Sequence, residues 1–349
     1  MRLSPSILAL IIAVAATSSP AADAEKPAAP SKVEKKQSSM FSRPKKQTPA
    51  EQLAYAGSLK NAGKRSEAAK QYNTLVQRWP DSTQASVAQL EYARILEAAG
   101  DYAAAFDEYE YLIQYYPGQF QYADVLESEF RIANAIMTSR SKILGILPGS
   151  AGYSTALPLF ERVVINAPQW SGTPKAQFNI GWIHENLEAY DLAADAYELV
   201  QQNYPRSEVA ADAAFQQGYC LYVIAKTRPN EERGLLAVRA HFQRFLRSYP
   251  DHAAAGDAAG YLNDILQRLT KMAYERAVFY DKGNHAKAAV IAYKDFMNKF
   301  PDAPQARIAQ LRIEELGDEA GTVKTQPEPG TDSEHKHISG GISGDDNDR

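Results

Sequence analysis

Six prolines divide the middle of this chain into copies of one pattern: Pro80 (WPDS), Pro117 (YPGQ), Pro168 (APQW), Pro205 (YPRS), Pro250 (YPDH) and Pro301 (FPDA). Eight residues before each proline stands an aromatic: Tyr72, Tyr109, Phe160, Tyr197, Phe242 and Tyr293. Five before stands a bulky apolar residue: Leu75, Leu112, Val163, Val200, Phe245 and Phe296. Twelve before stands a small or short apolar one: Ala68, Ala105, Ala156, Ala193, Val238 and Ala289. Agreement of six copies at three positions is an internal repeat. The offsets follow i, i+4, i+7, so the three side chains share one face of a helix. Proline ends that helix, because its ring disfavours helical geometry in the residue before it.

Each copy reads as a helical hairpin. Gly63, Gly100 and Gly283 stand where a preceding helix must turn back, a position that suits left-handed backbone angles. After the prolines, Asp81 or Ser82, Ser207, Asp251 and Asp302 offer side-chain oxygens for the N-cap of the next helix. The small residue at −12 lets the two helices of a hairpin approach closely. The prolines are 37, 51, 37, 45 and 51 residues apart, so two intervals carry extra material. In the first, Met137–Ser154 (MTSRSKILGILPGSAGYS) holds three glycines and Pro148, which predicts a loop with a short apolar turn at Ile143–Leu147. In the second, Ala258, Leu262, Ile265, Leu269, Met272 and Ala277 keep helical spacing. That predicts one helix of about 25 residues from Ala254 to Asp281, roughly 40 Å long.

The flanks are different in kind. Residues 1–24 carry Arg2, an apolar run at Ile7–Ala16 and a small-x-small site at Ala22–Ala24, which predicts a secretory signal peptide and export. The apolar run is short for a bilayer span. No cysteine follows it, so lipid attachment of the usual bacterial kind is not expected; retention of the segment as an uncleaved anchor is the alternative. Residues 25–50 are rich in Lys, Pro and Ser and predict a disordered basic linker, and residues 317–349 predict a disordered acidic tail. His335 and His337 in that tail make a weak metal pair. The formal net charge of −4 does not mark a nucleic-acid binder.

The repeats between 51 and 316 resemble tetratricopeptide repeats, whose period is about 34 residues. The expected fold is therefore all-α, a solenoid of about six hairpins. The stretch Ala237–Ala306 further resembles the BamD family of outer-membrane protein assembly factors. A YP-ended helix is followed there by a long helix with Leu266, Arg268, Leu269, Tyr274 and Tyr280, then the basic-Gly turn Lys282-Gly283, an Ala-rich helix and Phe300-Pro301-Asp302. The resemblance implies a periplasmic helical scaffold that docks on the barrel-forming assembly protein and helps hand over unfolded outer-membrane proteins. A periplasmic adaptor for cell-envelope maintenance, acting with Tol–Pal or peptidoglycan synthesis, is the alternative.

Candidate binding residues follow from what the core does not use. Arg244, Arg247, Lys282, Lys287 and Lys294 form a basic, solvent-facing set near the C-terminal repeats, where the resemblance implies a protein partner. Glu108–Tyr122 (EYEYLIQYYPGQFQY) has more aromatics than one buried face absorbs; Tyr111, Tyr115, Phe120 and Tyr122 are candidates for an exposed peptide groove, with packing against the next repeat as the other reading. No catalytic or cofactor constellation stands out. Ser139 and Lys142 have a nucleophile-pair spacing without the accompanying elements, and His184-Glu185 lacks a second histidine. Cys220 lies among apolar helical positions and reads as a small buried hydrophobe.

Overall fold

Eighteen side chains at the −12, −8 and −5 positions of the six copies are at most 3% exposed, so the repeat pattern is the core pattern. The computed structural model describes Glu34, Lys36 and residues 43–139, 150–228 and 231–322. Among the described residues there are thirteen α-helices and no strand. They fall into two compact units that meet in sequence after Glu188. Unit 1 contains α1 (Pro49–Asn61), α2 (Arg65–Arg78), α3 (Thr83–Ala99), α4 (Tyr102–Tyr115), α5 (Tyr122–Thr138), α6 (Ser150–Asn166) and α7 (Thr173–Asn186). Unit 2 contains α8 (Tyr190–Asn203), α9 (Ala210–Thr227), α10 (Glu232–Ser248), α11 (Ala255–Lys282), α12 (Ala286–Lys299) and α13 (Ala306–Thr322). Within each unit every helix packs on the next.

The −8 tyrosines of α4 and α12 do two jobs. In α4 the buried Tyr109 hydroxyl donates to Glu97 of α3 at 2.8 Å, and in α12 the Tyr293 hydroxyl donates to Asp281 of α11 at 3.0 Å. Each ring fills the hairpin core while its polar tip is satisfied by the partner helix. Phe242 in α10 fills the same place without a hydroxyl. Its ring lies against Gly218 of α9, where an added Cβ would come within 2.7 Å of Phe242 Cε1. The missing side chain at Gly218 is what lets α9 and α10 approach this closely.

The turns correct two expectations. Gly63 and Gly100 take left-handed angles, with φ of 76° and 78°. Gly283 does not, at φ −79°; Asn284 takes the left-handed angle instead, at 60°. The hydrogen bonds explain the shift. Asp101 N–H reaches Leu96 O and His285 N–H reaches Tyr280 O, each at 3.0 Å, so Asn284 occupies the place of Gly100. That place tolerates asparagine as well as glycine. The expected side-chain N-caps at Asp81 or Ser82, Ser207, Asp251 and Asp302 are also absent. Ser82 caps α3 without a side-chain bond, and α9 and α11 start after Val209 and Ala254. The main chain closes these turns itself: Ser82 N–H to Trp79 O, Ser207 to Tyr204, His252 to Tyr249 and Ala303 to Phe300, at 3.0–3.2 Å.

The long helix is present as α11, 28 residues without a break. The loop expected at Met137–Ser154 is narrower, because α5 runs to Thr138 and α6 begins at Ser150; its apolar turn at Ile143–Leu147 lies outside the described residues. So do the signal segment 1–24 and His335 and His337. α13 continues past Gly317, the expected start of the tail, to Thr322. The segment expected to be a disordered linker is docked where it is described. Pro49 and Ala50 open α1, behind a capping box in which Thr48 and Glu51 exchange hydrogen bonds, and Lys36, Lys45 and Lys46 contact unit 1.

Candidate partner-binding surfaces

In unit 1, two repeat-equivalent glutamines face the N-terminal segment. Gln52 of α1 and Gln89 of α3 are 37 residues apart, the interval between Pro80 and Pro117, and both are fully buried. Each uses its Nε2 to grip the second helix of its hairpin. Gln52 donates to Gln71 O at 3.3 Å and to Gln71 Oε1 at 2.8 Å. Gln89 donates to Glu108 O at 2.8 Å and to Glu108 Oε2 at 2.6 Å. The amide oxygens are thereby left to accept from elsewhere. Gln52 Oε1 accepts the backbone N–H groups of Lys45 and Lys46, both at 3.0 Å.

Gln89 Oε1 accepts from the Lys36 ammonium at 3.1 Å. Asn73 Oδ1 of α2 accepts at 3.0 Å, and Glu108 Oε2 lies 2.5 Å from Nζ. The faces of Tyr92 and Tyr111 lie 4.7 and 5.1 Å from the ammonium, within cation–π range. Burial pulls the Lys36 ammonium below the ordinary lysine value, and Glu108 opposes the shift. The result is a socket fitted to one primary ammonium.

The four aromatics proposed for a groove do not form one exposed group. Tyr111 is buried at 1% exposure, its ring against Tyr115 at 4.5 Å and Tyr116 at 6.0 Å. Phe120 and Tyr122 pair separately at 5.9 Å, and the Tyr122 hydroxyl donates to Asn166 O at 3.1 Å. Of the two readings of Tyr111, exposed groove or packing, the structure has the buried one: its ring is a wall of the Lys36 socket.

Next along unit 1, α5 buries Glu129 completely, and neither carboxylate oxygen has a hydrogen bond among the described residues. Burial, with Glu110 nearby, pushes its carboxyl well above the ordinary range, and Arg162 only partly offsets this. Arg162 of α6 also pairs with Asp107 at 3.3 Å. Glu110 is raised by burial too, although Arg162 and a 2.8 Å hydrogen bond from Asn166 favour its charged form.

In unit 2 all five residues of the basic set are exposed: Arg244 and Arg247 on α10, Lys282 at the end of α11, and Lys287 and Lys294 on α12. Among the described residues none of the five forms an ion pair. Lys287 and Lys294 flank Ile291, which is 69% exposed, at the i, i+4, i+7 spacing of one helical stripe. The nearby carboxylate is already engaged. Asp281 receives Arg312 of α13 in a bidentate pair at 2.8 and 2.9 Å and is held below the ordinary carboxylate range by it. Cys220 is fully buried.

A tetratricopeptide-repeat family profile matches residues 56–120 and 150–208. These residues are tetratricopeptide repeats. Solved structures that match the chain include YrrB, described as a repeat protein with an unusual peptide-binding site, at 18% identity over 61% of this chain and 92% of that one, with a TM-score of 0.32. A tetratricopeptide repeat protein from Parabacteroides merdae matches at 9% identity over 77% of this chain and 98% of its own, with a TM-score of 0.31. Pseudomonas aeruginosa PilF matches at 11% identity, 78% and 97% coverage and a TM-score of 0.27. No curated protein matches the chain.

The Lys36 socket lies across the first two tetratricopeptide hairpins, and sequence reasoning missed it. Lys36 sits in a Lys-, Pro- and Ser-rich stretch with no apolar periodicity, which gives no sign of docking. One signal was available. Gln52 and Gln89 recur at the proline interval, and Gln71 and Glu108 recur at the same interval on the following helices.

Proposed function

We propose that this chain is a non-enzymatic periplasmic scaffold of the BamD type, which binds protein partners during assembly of outer-membrane β-barrel proteins. The observation that carries the reading is the basic set of unit 2. Arg244, Arg247, Lys282, Lys287 and Lys294 are exposed on α10–α12, the helices of the stretch that resembles that family, without ion-pair partners among the described residues. Exposed cations beside an apolar Ile291 suit a partner surface with carboxylates around an apolar contact. The unbroken α11 and the Phe300-Pro301 stop after α12 agree with the family's long helix and closing step. Stacked hairpins supply rigid, extended surfaces for protein segments, which requires no covalent chemistry.

The test is affinity purification of the tagged full chain from cell envelopes, followed by mass spectrometry. The barrel assembly protein should be recovered with the wild type. Charge reversal by Lys282→Glu should weaken that recovery while the helical circular dichroism stays unchanged. Recovery of Tol–Pal or peptidoglycan synthases without the barrel assembly protein overturns the assembly reading in favour of an envelope adaptor. Recovery unaffected by Lys282→Glu removes Lys282 from the docking surface.

A further inference from the structure

A lysine ammonium has three N–H donors and no acceptor, and leaving any of them unpaired away from water is unfavourable. In unit 1, Asn73 Oδ1, Gln89 Oε1 and Glu108 Oε2 supply three acceptors to Lys36 Nζ, and Tyr92 and Tyr111 close over it with their ring faces. The socket does not owe its shape to Lys36. Gln89 is clamped to Glu108 through its own Nε2, which aims Oε1 outward, and Tyr111 is packed against Tyr115 and Tyr116. A site held in place by its own contacts loses little freedom when it is filled.

The same segment is read a second time at the first hairpin. There Gln52, clamped in the same way to Gln71, accepts the main-chain N–H groups of Lys45 and Lys46. Main-chain recognition is independent of side chain, and ammonium recognition asks only for a lysine. Together they describe a peptide segment with a lysine at one point, and nothing in the contacts is peculiar to this chain's own segment. An apolar strap would be held by burial of its side chains. This one is held by hydrogen bonds and charge that another lysine can reproduce.

We propose that the Asn73–Gln89–Tyr92–Glu108–Tyr111 socket is a recognition site for a lysine in a basic segment of a partner protein, with the chain's own Lys36 as its built-in competitor. The tethered segment stands at an effective concentration on the order of millimolar. An identical segment from a second copy at micromolar concentration would lose to it, which is why the occupant is assigned to a partner with contacts of its own. The inference is independent of the basic surface of unit 2 and of the barrel-assembly reading.

The probe is a fluorescein-labelled peptide with the sequence of residues 31–41, SKVEKKQSSMF, read by fluorescence anisotropy against the full chain. The wild type should bind it weakly, because Lys36 fills the socket. The full-length Lys36→Ala chain should bind at least tenfold more tightly. Acetylating all three lysines of the peptide should abolish that gain, and so should Glu108→Gln in the Lys36→Ala chain. The acetylated peptide uses an unaltered socket, so it decides the question even where Glu108→Gln perturbs folding. Equal binding by wild type and Lys36→Ala, or by the acetylated and free peptides, overturns the proposal. A wild-type dimer by light scattering that Lys36→Ala converts to monomer would assign the socket to a second copy and overturn the assignment to a partner.

Discussion

The two units are built on one hairpin plan but place charge in opposite ways. In unit 1, polar side chains stand inside the helix contacts: Gln52, Gln89 and Glu129 are all fully buried, and Lys36 enters from the N-terminal side. In unit 2 the core around α9–α11 is apolar and aromatic, with Leu235, Val238, Phe242, Phe245, Ile265 and Leu269 at its centre, and the cations stand outside. The lesson is that the −12, −8, −5 face is enough to build the hairpin. The side chains off that face are then free to differ, so polar groups stand between the helices in unit 1 and on their outer surface in unit 2.

The largest expected effect tests the shared part of the plan. Phe242→Ala should destabilise the protein by about 3–5 kcal/mol, the cost of removing a fully buried ring and leaving a cavity. Urea unfolding monitored by circular dichroism measures it. A loss below about 1 kcal/mol would mean that the −8 position is not the centre of the unit 2 core.

The next sharpens the difference between the units through their carboxylates. Glu129 is fully buried with its carboxyl held toward the protonated form, so Glu129→Gln, which cannot ionise, should be more stable than the wild type at neutral pH. The folded state holds the Glu129 proton to higher pH than the unfolded chain does. Its contribution is therefore fully present below the unfolded carboxylate value and is lost as pH rises through the raised folded value. The advantage of Glu129→Gln should accordingly grow as pH rises from 4 to 8 in thermal melts. An advantage that is flat with pH would mean that Glu129 is not held protonated.

Asp281 should behave with the opposite sign. Arg312 and the Tyr293 hydroxyl hold its folded value low, so the pair's stabilisation is present above the unfolded value and is lost as pH falls through the folded one. Arg312→Ala should cost about 1 kcal/mol at pH 7, and this cost should vanish at acid pH as Asp281 takes up its proton. An Arg312→Ala penalty that persists at pH 2 would assign its role to packing of α13 and not to the ion pair.

The sequence made the hairpin face legible because it repeats: six aromatics at −8 leave no other period to fit. It did not reveal the polar side. Gln89 in α3 or Glu129 in α5 looks like a solvent-facing residue in the sequence, and only the packing of the helices makes it buried. Lys36 was hidden for the same reason, since its partners Asn73, Gln89 and Glu108 come from three different helices. The basic set of unit 2 was legible because it needs no partner inside the chain: residues off the core face of an exposed helix remain exposed.

The smallest effect separates the two kinds of turn. Gly100 in unit 1 holds φ at 78° with open space around its missing side chain, so only backbone strain opposes alanine there, and Gly100→Ala should cost about 1 kcal/mol. Gly283 in unit 2 has φ −79°, which alanine adopts readily and which restricts the unfolded chain in its favour. The added Cβ would come within 3.1 Å of His285 Cδ2, an exposed side chain that can swing away. Gly283→Ala should therefore be neutral within about 0.5 kcal/mol, and Asn284→Gly should be tolerated equally well because Asn284 carries the left-handed angle. Matched penalties at Gly100 and Gly283 in thermal melts would mean that both turns need glycine and that Asn284 is not the residue that reverses the chain before α12.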